Sequence, residues 1–316
     1  MGFNFYKNIL LEIMSKDNQP LVSIITITHN RANLIQRCIE SIKNQTYQNY
    51  EHIIIDGLST DNTEEVVKSY NDNRIIYMKS EVNNVPQNHW KGIYMAKGKY
   101  VTFLDDDDEY LPTKVEKQVR LFESLSPDYG IVYCWMSYYD NSTKKLLKIH
   151  KSELKGNILI ENVESPKVSG TPTMMFRTQD VIKYNLGYRE DIGYHSDWEY
   201  ITRACRMFLV DYVPESLVNV YINHHYQRMS DSAYYSNYCQ NSILFHNHFL
   251  HEFNDIFKKY PKKKKYHLEA LINNYFYANQ YKAGWEKYFE LLKIGFSFKN
   301  LIRPFYVIFR KQIYKI

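Results

Sequence analysis

Asp105, Asp106, Asp107 and Asp108 form an unbroken run of carboxylates directly after the apolar stretch Tyr100–Leu104. Four adjacent like charges at the end of a buried segment repel one another, and ionising them all away from water is costly. A positive partner is expected beside them. Their hard oxygens suit Mg²⁺ or Mn²⁺, and Mg²⁺ commonly combines one or two carboxylates with substrate phosphates. Read alone, the run fits a metal site or a solvated acidic turn. Other polar groups also follow apolar runs: Thr28-His29-Asn30-Arg31 ends one, Asp56 a second, and His224-His225 a third. Ser196-Asp197-Trp198-Glu199 opens a helical pattern.

The elements that must position these groups are legible from pattern. Leu21–Thr28 is continuously apolar and β-branched, as in a strand buried on both faces of a parallel sheet. Asn33 can cap a following helix, in which Leu34, Ile35, Cys38, Ile39 and Ile42 have helical spacing. Glu51–Asp56 is a second buried strand, Thr63–Tyr70 a helix and Arg74–Lys79 a third strand. Val85–Lys97 is a helix with Gly98 as its stop, and Tyr100–Leu104 a fourth strand. The first part therefore reads β-α-β-α-β-α-β, with connections long enough for right-handed crossovers. In such sheets ligands bind beyond the carboxyl ends of the strands. Thr28–Arg31, Asp56 and Asp105–Asp107 then converge on one crevice, suited to a nucleotide whose diphosphate is bridged by a metal. Neither G-x-G-x-x-G nor G-x-x-x-x-G-K-[ST] occurs, which argues against a dinucleotide or P-loop cradle.

Beyond Pro112 we expect a helix to Leu125, a strand Tyr129–Tyr139 and a hairpin return over Lys144–His150. A loop over Val163–Pro172 precedes a strand Thr173–Arg177. A helix runs from Ser196 to Met207, and Pro214 separates strands Phe208–Val213 and Leu217–Ile222. From about Ser232 the pattern is helical and basic. We divide the chain into an extension (1–19), a nucleotide-binding half (20–110), a second half that carries the Asp197 helix (111–230) and a basic helical region (231–316).

The 316 residues allow one large domain with an appendage, and 44% hydrophobic with 24% charged residues is ordinary for a soluble protein. The four cysteines are far apart and form no C-x-x-C pair, which fits a reducing cytosol rather than a disulfide or zinc framework. Net charge is +5, but residues 251–316 hold 14 Lys+Arg against 5 Asp+Glu, leaving −4 on residues 1–250. A basic amphipathic tail can lie against anionic lipid; a tail helix packed on its own domain is the alternative. No apolar run reaches the roughly 18 residues of a membrane span, and Met1–Pro20 lacks the parts of a signal peptide.

Three blocks resemble glycosyltransferase family 2. The first runs from Val22 to Thr63, with its S-I-x-x-Q-T core and closing D-G-x-S-T-D-N-T. The second is A-K-G-K-Y-V-T-F-L-D-D-D-D, Ala96 to Asp108. The third is the acidic pair opening a helix at Ser196–Glu199. The resemblance covers about Pro20 to His225. It implies the GT-A fold: α/β, a Rossmann-like, mostly parallel central sheet flanked by helices, here with a C-terminal helical extension. It also implies an inverting, metal-dependent transfer from a UDP-sugar. Thr28, His29, Asn30 and Arg31 would line the uridine and ribose end, and Asp56 would accept from the uracil ring. Asp105 and Asp107 would form the D-x-D with Mn²⁺ or Mg²⁺, Asp107 as direct ligand; Asp105 or Asp106 would hold the ribose or a metal-bound water. Asp197 would be the catalytic base, and His225 would approach the diphosphate or metal. Departures are Asp56-Gly57-Leu58, where the family often has D-D or D-G-G, and Trp90, where it usually has asparagine.

The expected activity is transfer of a hexosyl or N-acetylhexosaminyl group to a glycan or lipid-linked glycan in bacterial surface-polysaccharide synthesis. The expected place is the cytoplasm or the inner membrane face, with no nucleic-acid partner. A catalytically silent glycan-binding or scaffold subunit and a sugar nucleotidyltransferase are the alternatives. The latter would want a glycine-rich phosphate loop after the first strand, where this chain has Thr28-His29-Asn30-Arg31.

Overall fold

The computed structural model describes residues 19–168, 170–192, 195–223, 235–295, 302–303, 305–307 and 309. The chain forms two units: Met1–Glu153 with Thr171–Gly187 and Val210–Asn223, and Leu154–Gly170 with Tyr188–Leu209 and His224–Ile316.

The first unit opens with β1 (Val22–Thr28), α1 (Ala32–Lys43), β2 (Tyr50–Asp56), α2 (Thr63–Ser69), β3 (Ile75–Lys79), α3 (Val85–Met95) and β4 (Tyr100–Phe103). β1 pairs in parallel with β2 and β4, and β2 with β3. β2 is buried at every residue and β1 at all but one, as a sheet covered on both faces demands; the Glu51 so enclosed accepts from Ser23 Oγ at 2.6 Å. α1 buries Leu34, Ile35, Cys38, Ile39 and Ile42 along one face. Each large aliphatic so buried contributes roughly 1.5–3 kcal/mol.

The remaining strands are β5 (Glu109–Tyr110), β6 (Tyr129–Asp140), β7 (Leu146–His150), β8 (Met175–Arg177) and β9 (Leu209–Ile222), with helix α4 (Lys114–Ser124) after β5. The sheet order is β3-β2-β1-β4-β8-β6-β9-β5, with β7 paired to β6. β8 runs antiparallel to β4, so the sheet is mixed beyond the parallel half.

Four local expectations are corrected. Asn33 lies inside α1, whose first turn is instead reached by Asp61: Ala32 N donates to its Oδ2 at 3.2 Å. Gly98 is not a helix stop, since α3 ends at Met95; it is there because a Cβ would stand 2.6 Å from Ser23 N and 2.8 Å from Leu21 O. The first two residues of the expected loop, Val163 and Glu164, instead close the helix Leu159–Glu164. Finally, β9 is one strand of 14 residues; Pro214 sits exposed within it, so its missing N–H breaks no buried bond.

The second unit is mainly helical: Ser196–Ala204, Tyr235–Glu252, Asn254–Lys259, Lys265–Tyr277 and Tyr281–Ile294. Phe245, Phe249, Phe253 and Phe257 recur every four residues and pack with Val163, Ile192 and Trp198. His267 Nε2 lies 2.9 Å from Val163 O and His246 Nδ1 lies 3.0 Å from His267 Nδ1. A carbonyl only accepts, so His267 carries its proton on Nε2 and His246 donates through Nδ1. All four cysteines are buried and free. Among the described residues no helix is long and apolar enough to cross a membrane.

Candidate active site

In the first unit the register aligns Thr28 with Asp56, and Leu104 N donates to Ile25 O at 3.0 Å. The carboxyl ends of β1, β2 and β4 therefore lie side by side, and the aspartates begin one residue later. Asn30 takes a left-handed φ of 53°, a conformation asparagine tolerates. Its Oδ1 accepts from Thr60 N at 2.7 Å and its N donates to Ser59 Oγ at 2.8 Å, joining the first loop to the second. His29 Nε2 lies 3.2 Å from Asn30 Nδ2.

Asp56 is fully buried. Its Oδ1 accepts from Ser59 N at 2.8 Å and its Oδ2 from the Tyr77 hydroxyl at 2.5 Å. Burial and this carboxylate together push the Tyr77 phenol far above its usual range.

The four aspartates divide by direction. Asp105, Asp107 and Asp108 each offer an oxygen within 4.8 Å of the others. Asp105 is exposed and the other two are buried. Three hard carboxylate oxygens this close repel one another without a cation and match the donor set of Mg²⁺ or Mn²⁺. Asp106 points elsewhere: its Oδ1 accepts from Arg31 Nη1 at 2.7 Å, and the same nitrogen lies 3.2 Å from Asp107 Oδ2. Burial pushes the Asp106 carboxyl up to about 6, against the pull of Arg31.

Residues that pattern reasoning did not single out hold this turn. Arg37 donates through Nη2 to the Asp107 carbonyl and through Nη1 to Asn141 Oδ1 at 3.0 Å, with its guanidinium 3.8 Å from the Tyr221 ring centre. Tyr221 N donates to Asp108 Oδ1 at 2.9 Å. Beneath the turn, fully buried Lys114 donates to Thr102 Oγ1 at 2.6 Å and lies 3.9 Å from the Tyr110 ring centre. Burial lowers its ammonium to about 7. The sequence signal for Arg37 is its place on α1 opposite the apolar stripe. For Tyr221 and Asn141 there is none, because the contacts span about a hundred residues.

Trp90 packs against Gly187, where a Cβ would stand 2.5 Å from the indole ring. His89 is buried and stacked on Phe103 at 4.3 Å, and burial lowers it to about 3.

The second unit holds Asp197 at the start of the helix Ser196–Ala204, where its Oδ2 accepts from Gly170 N at 3.0 Å. A carboxylate in a first helical turn is favoured by the dipole. Glu199 is buried and held by Arg203 Nε at 2.9 Å, with His248 Nε2 3.7 Å away. Asp191 is paired to Arg189 at 2.9 Å. His225 lies outside the described residues.

Against known proteins, the profile of Glycosyl transferase family 2 matches residues 23–190. An uncharacterised glycosyltransferase of Methanocaldococcus jannaschii is 28% identical over 70% of this chain and 78% of its own length. The teichuronic acid biosynthesis glycosyltransferase TuaG of Bacillus subtilis, itself a putative assignment, is 38% identical over 55% of this chain and 70% of its own. WfaP of Escherichia coli, a UDP-Glc:α-D-GlcNAc-diphosphoundecaprenol β-1,3-glucosyltransferase, is 35% identical over 38% of this chain, which spans 46% of WfaP. Among solved structures, S. aureus TarS with UDP-GlcNAc superposes with a TM-score of 0.62 at 15% identity, over 93% of this chain and 91% of that one. The Pyrobaculum calidifontis mannosyltransferase PcManGT with GDP-Man and Mn²⁺ gives 0.57 at 16% identity, over 94% and 82%. At these identities the structural likeness speaks for the fold, which is GT-A. With its profile match covering more than half of its length, the chain belongs to glycosyl transferase family 2 and is a glycosyltransferase.

Proposed function

We propose that the protein is an inverting, metal-dependent enzyme that moves a hexosyl or N-acetylhexosaminyl group from a UDP-sugar to a hydroxyl of a glycan or lipid-linked glycan. The place is bacterial surface-polysaccharide synthesis at the inner membrane face. One observation carries the reading: Thr28, Asp56 and the cluster Asp105/Asp107/Asp108 gather at three neighbouring strand ends. That is where open α/β sheets bind nucleotides. The transfer from UDP-Glc to a diphosphoundecaprenol-linked GlcNAc by WfaP and the UDP-GlcNAc bound to TarS support the class of donor and acceptor, and the teichuronic acid role of TuaG supports the place in polysaccharide synthesis.

In this reading residues 20–110 bind the donor, and residues 111–230 the acceptor. Asp56 accepts from the uracil ring, and Thr28, His29, Asn30 and Arg31 line the uridine and ribose. Asp105, Asp107 and Asp108 would hold the divalent ion. A divalent ion there supplies Lewis acidity that offsets charge on the departing diphosphate. Asp106, turned to Arg31, keeps that guanidinium at the donor's edge. Asp197 takes the proton of the acceptor hydroxyl as its oxygen attacks the anomeric carbon. The bond from that carbon to the diphosphate oxygen breaks with its electrons, UDP leaves, and configuration inverts, as in glycoside hydrolysis with a base on the opposite face. Enclosure of Glu199 by Arg203 supports Asp197 in this role over its neighbour.

Lipid contact through the C-terminal region is part of this reading. Phe289, Phe305 and Tyr306 are more than half exposed there, within the most basic part of the chain. Large exposed aromatics beside cations suit a bilayer interface.

The test is calorimetric titration of UDP with and without Mn²⁺ into the parent, Asp107→Ala and Asp197→Asn. We expect metal-dependent binding in the parent, its loss in Asp107→Ala, and binding without sugar transfer in Asp197→Asn. Equal binding of GDP in place of UDP sinks the donor assignment, and full transfer by Asp197→Asn sinks the base.

A further inference from the structure

β7 is unlike the other strands. Leu146, Leu147, Lys148 and Ile149 are all exposed, so neither face is buried. Yet it carries three large aliphatics, exposed by 43%, 47% and 43% at Leu146, Leu147 and Ile149. A strand usually buries the face on which its apolar residues stand. Four cations are interleaved with them, Lys144, Lys145, Lys148 and Lys151, and no Asp or Glu occurs between residues 141 and 152. Lys144, Lys148 and Lys151 lie 5.0, 4.3 and 4.9 Å from the ring centres of Tyr221, Tyr138 and Trp135. Lysines alone would blunt an edge strand against pairing with another chain; three exposed aliphatics work against that purpose. Apolar side chains, aromatic rings and unneutralised lysines together form a surface whose apolar groups enter the acyl boundary while its ammonium groups meet lipid phosphates.

The hairpin is also tied to the aspartate turn. The Asp140 carboxylate accepts from Ser142 N at 3.1 Å, Thr143 N at 2.8 Å and Asn223 Nδ2 at 2.7 Å, fixing the tip. Asn141 Oδ1 accepts from Arg37, which donates to the Asp107 carbonyl as well. One guanidinium thus links the hairpin to the residues that would hold the metal.

We propose that the hairpin Asn141–Lys151 is the face by which the first unit docks on an anionic lipid bilayer, setting the aspartate turn at a surface that carries a lipid-linked acceptor. This rests on the lipid-linked reading above and adds a contact separate from the C-terminal region.

The test is flotation of the intact protein with vesicles of phosphatidylcholine alone or with about one-third phosphatidylglycerol. Two double variants at exposed positions are compared with the parent: Leu147→Asp with Ile149→Asp, and Lys145→Glu with Lys148→Glu. We expect the parent to float with the anionic vesicles only, and each variant to bind at least about tenfold more weakly, with an unchanged unfolding midpoint. Should the aspartate pair lower that midpoint, the lysine pair decides. Variants that float like the parent overturn the hairpin and leave the lipid-linked reading standing. A parent that does not float overturns both. A parent dimer that the variants convert to monomer, with vesicle binding unaltered, makes the hairpin a self-pairing edge and overturns the proposal.

Discussion

Arg31 Nη1 stands 2.7 Å from Asp106 Oδ1 and 3.2 Å from Asp107 Oδ2, so one guanidinium bridges neighbouring carboxylates at the head of the aspartate turn. Both aspartate side chains are nearly sealed from water, at 4% and 3% exposure, while Arg31 keeps 20%. Removing one partner of a buried pair leaves an uncompensated charge. We expect Arg31→Met to cost about 3 kcal/mol, the low end for a buried pair because Arg31 is partly exposed. Arg31→Lys should recover only part, since a single ammonium lacks the planar fork. Urea unfolding measures the cost. Adding Mn²⁺ should stabilise Arg31→Met more than the parent, because the ion then relieves a repulsion that Arg31 otherwise offsets.

Asp56 is placed by Tyr77. Tyr77→Phe removes a hydrogen bond to a charged acceptor and should cost about 1.5–3 kcal/mol. The same variant should weaken UDP binding if Asp56 accepts from the base as proposed, because its carboxylate loses a positioning donor. An unchanged unfolding midpoint with unchanged UDP affinity would rule this role out.

Gly187 makes room for Trp90. Gly187→Ala sets a Cβ 2.5 Å from the ring unless the indole moves. Overpacking of this kind costs about 1–3 kcal/mol. Trp90→Leu should relieve it, so a double-mutant cycle on unfolding free energy should show coupling rather than additivity.

Acid should weaken the fold through buried neutral histidines. His52 and His89 are lowered to about 3 and His267 to about 4, each by burial first. Between those values and about 6.5 the unfolded chain binds protons that the native one does not, so stability rises with pH across that window. Each group adds up to about 1.4 kcal/mol per pH unit. Asp106, raised from 3.8 to about 6, acts in the opposite sense between those two values but is one group against three. Unfolding midpoints from pH 7 down to about 4.5 should fall, and His89→Phe should flatten the slope.

Lys114 adds a second window at higher pH. Its folded value near 7 lies below the 10.5 of the exposed ammonium, so the unfolded state binds more protons between the two. Stability attributable to this group should rise from pH 7 upward. Lys114→Met should remove that rise, while loosening the turn through loss of the bond to Thr102.

The parallel half of the sheet and the gathering of polar groups at its carboxyl ends are written in the sequence; the strand order β3-β2-β1-β4 is set only by the tertiary structure. Runs rich in aliphatic and β-branched residues, such as Val22–Thr28 and Ile53–Ile55, have few alternatives to a doubly covered sheet, and the long connections between them require crossovers. Local pattern could not divide the four aspartates. Asp106 turns to Arg31, whereas Asp108 joins Asp105 and Asp107. That division depends on Tyr221 N reaching Asp108 across 113 residues and Arg37 reaching Asn141 across 104. Nor could it show that β9 runs unbroken past Pro214, because a proline's tolerance depends on whether its position faces solvent. Pattern fixes what a segment buries; the partners of its polar groups are set only when distant strands pair, since hydrogen bonds depend on direction and burial of apolar surface does not.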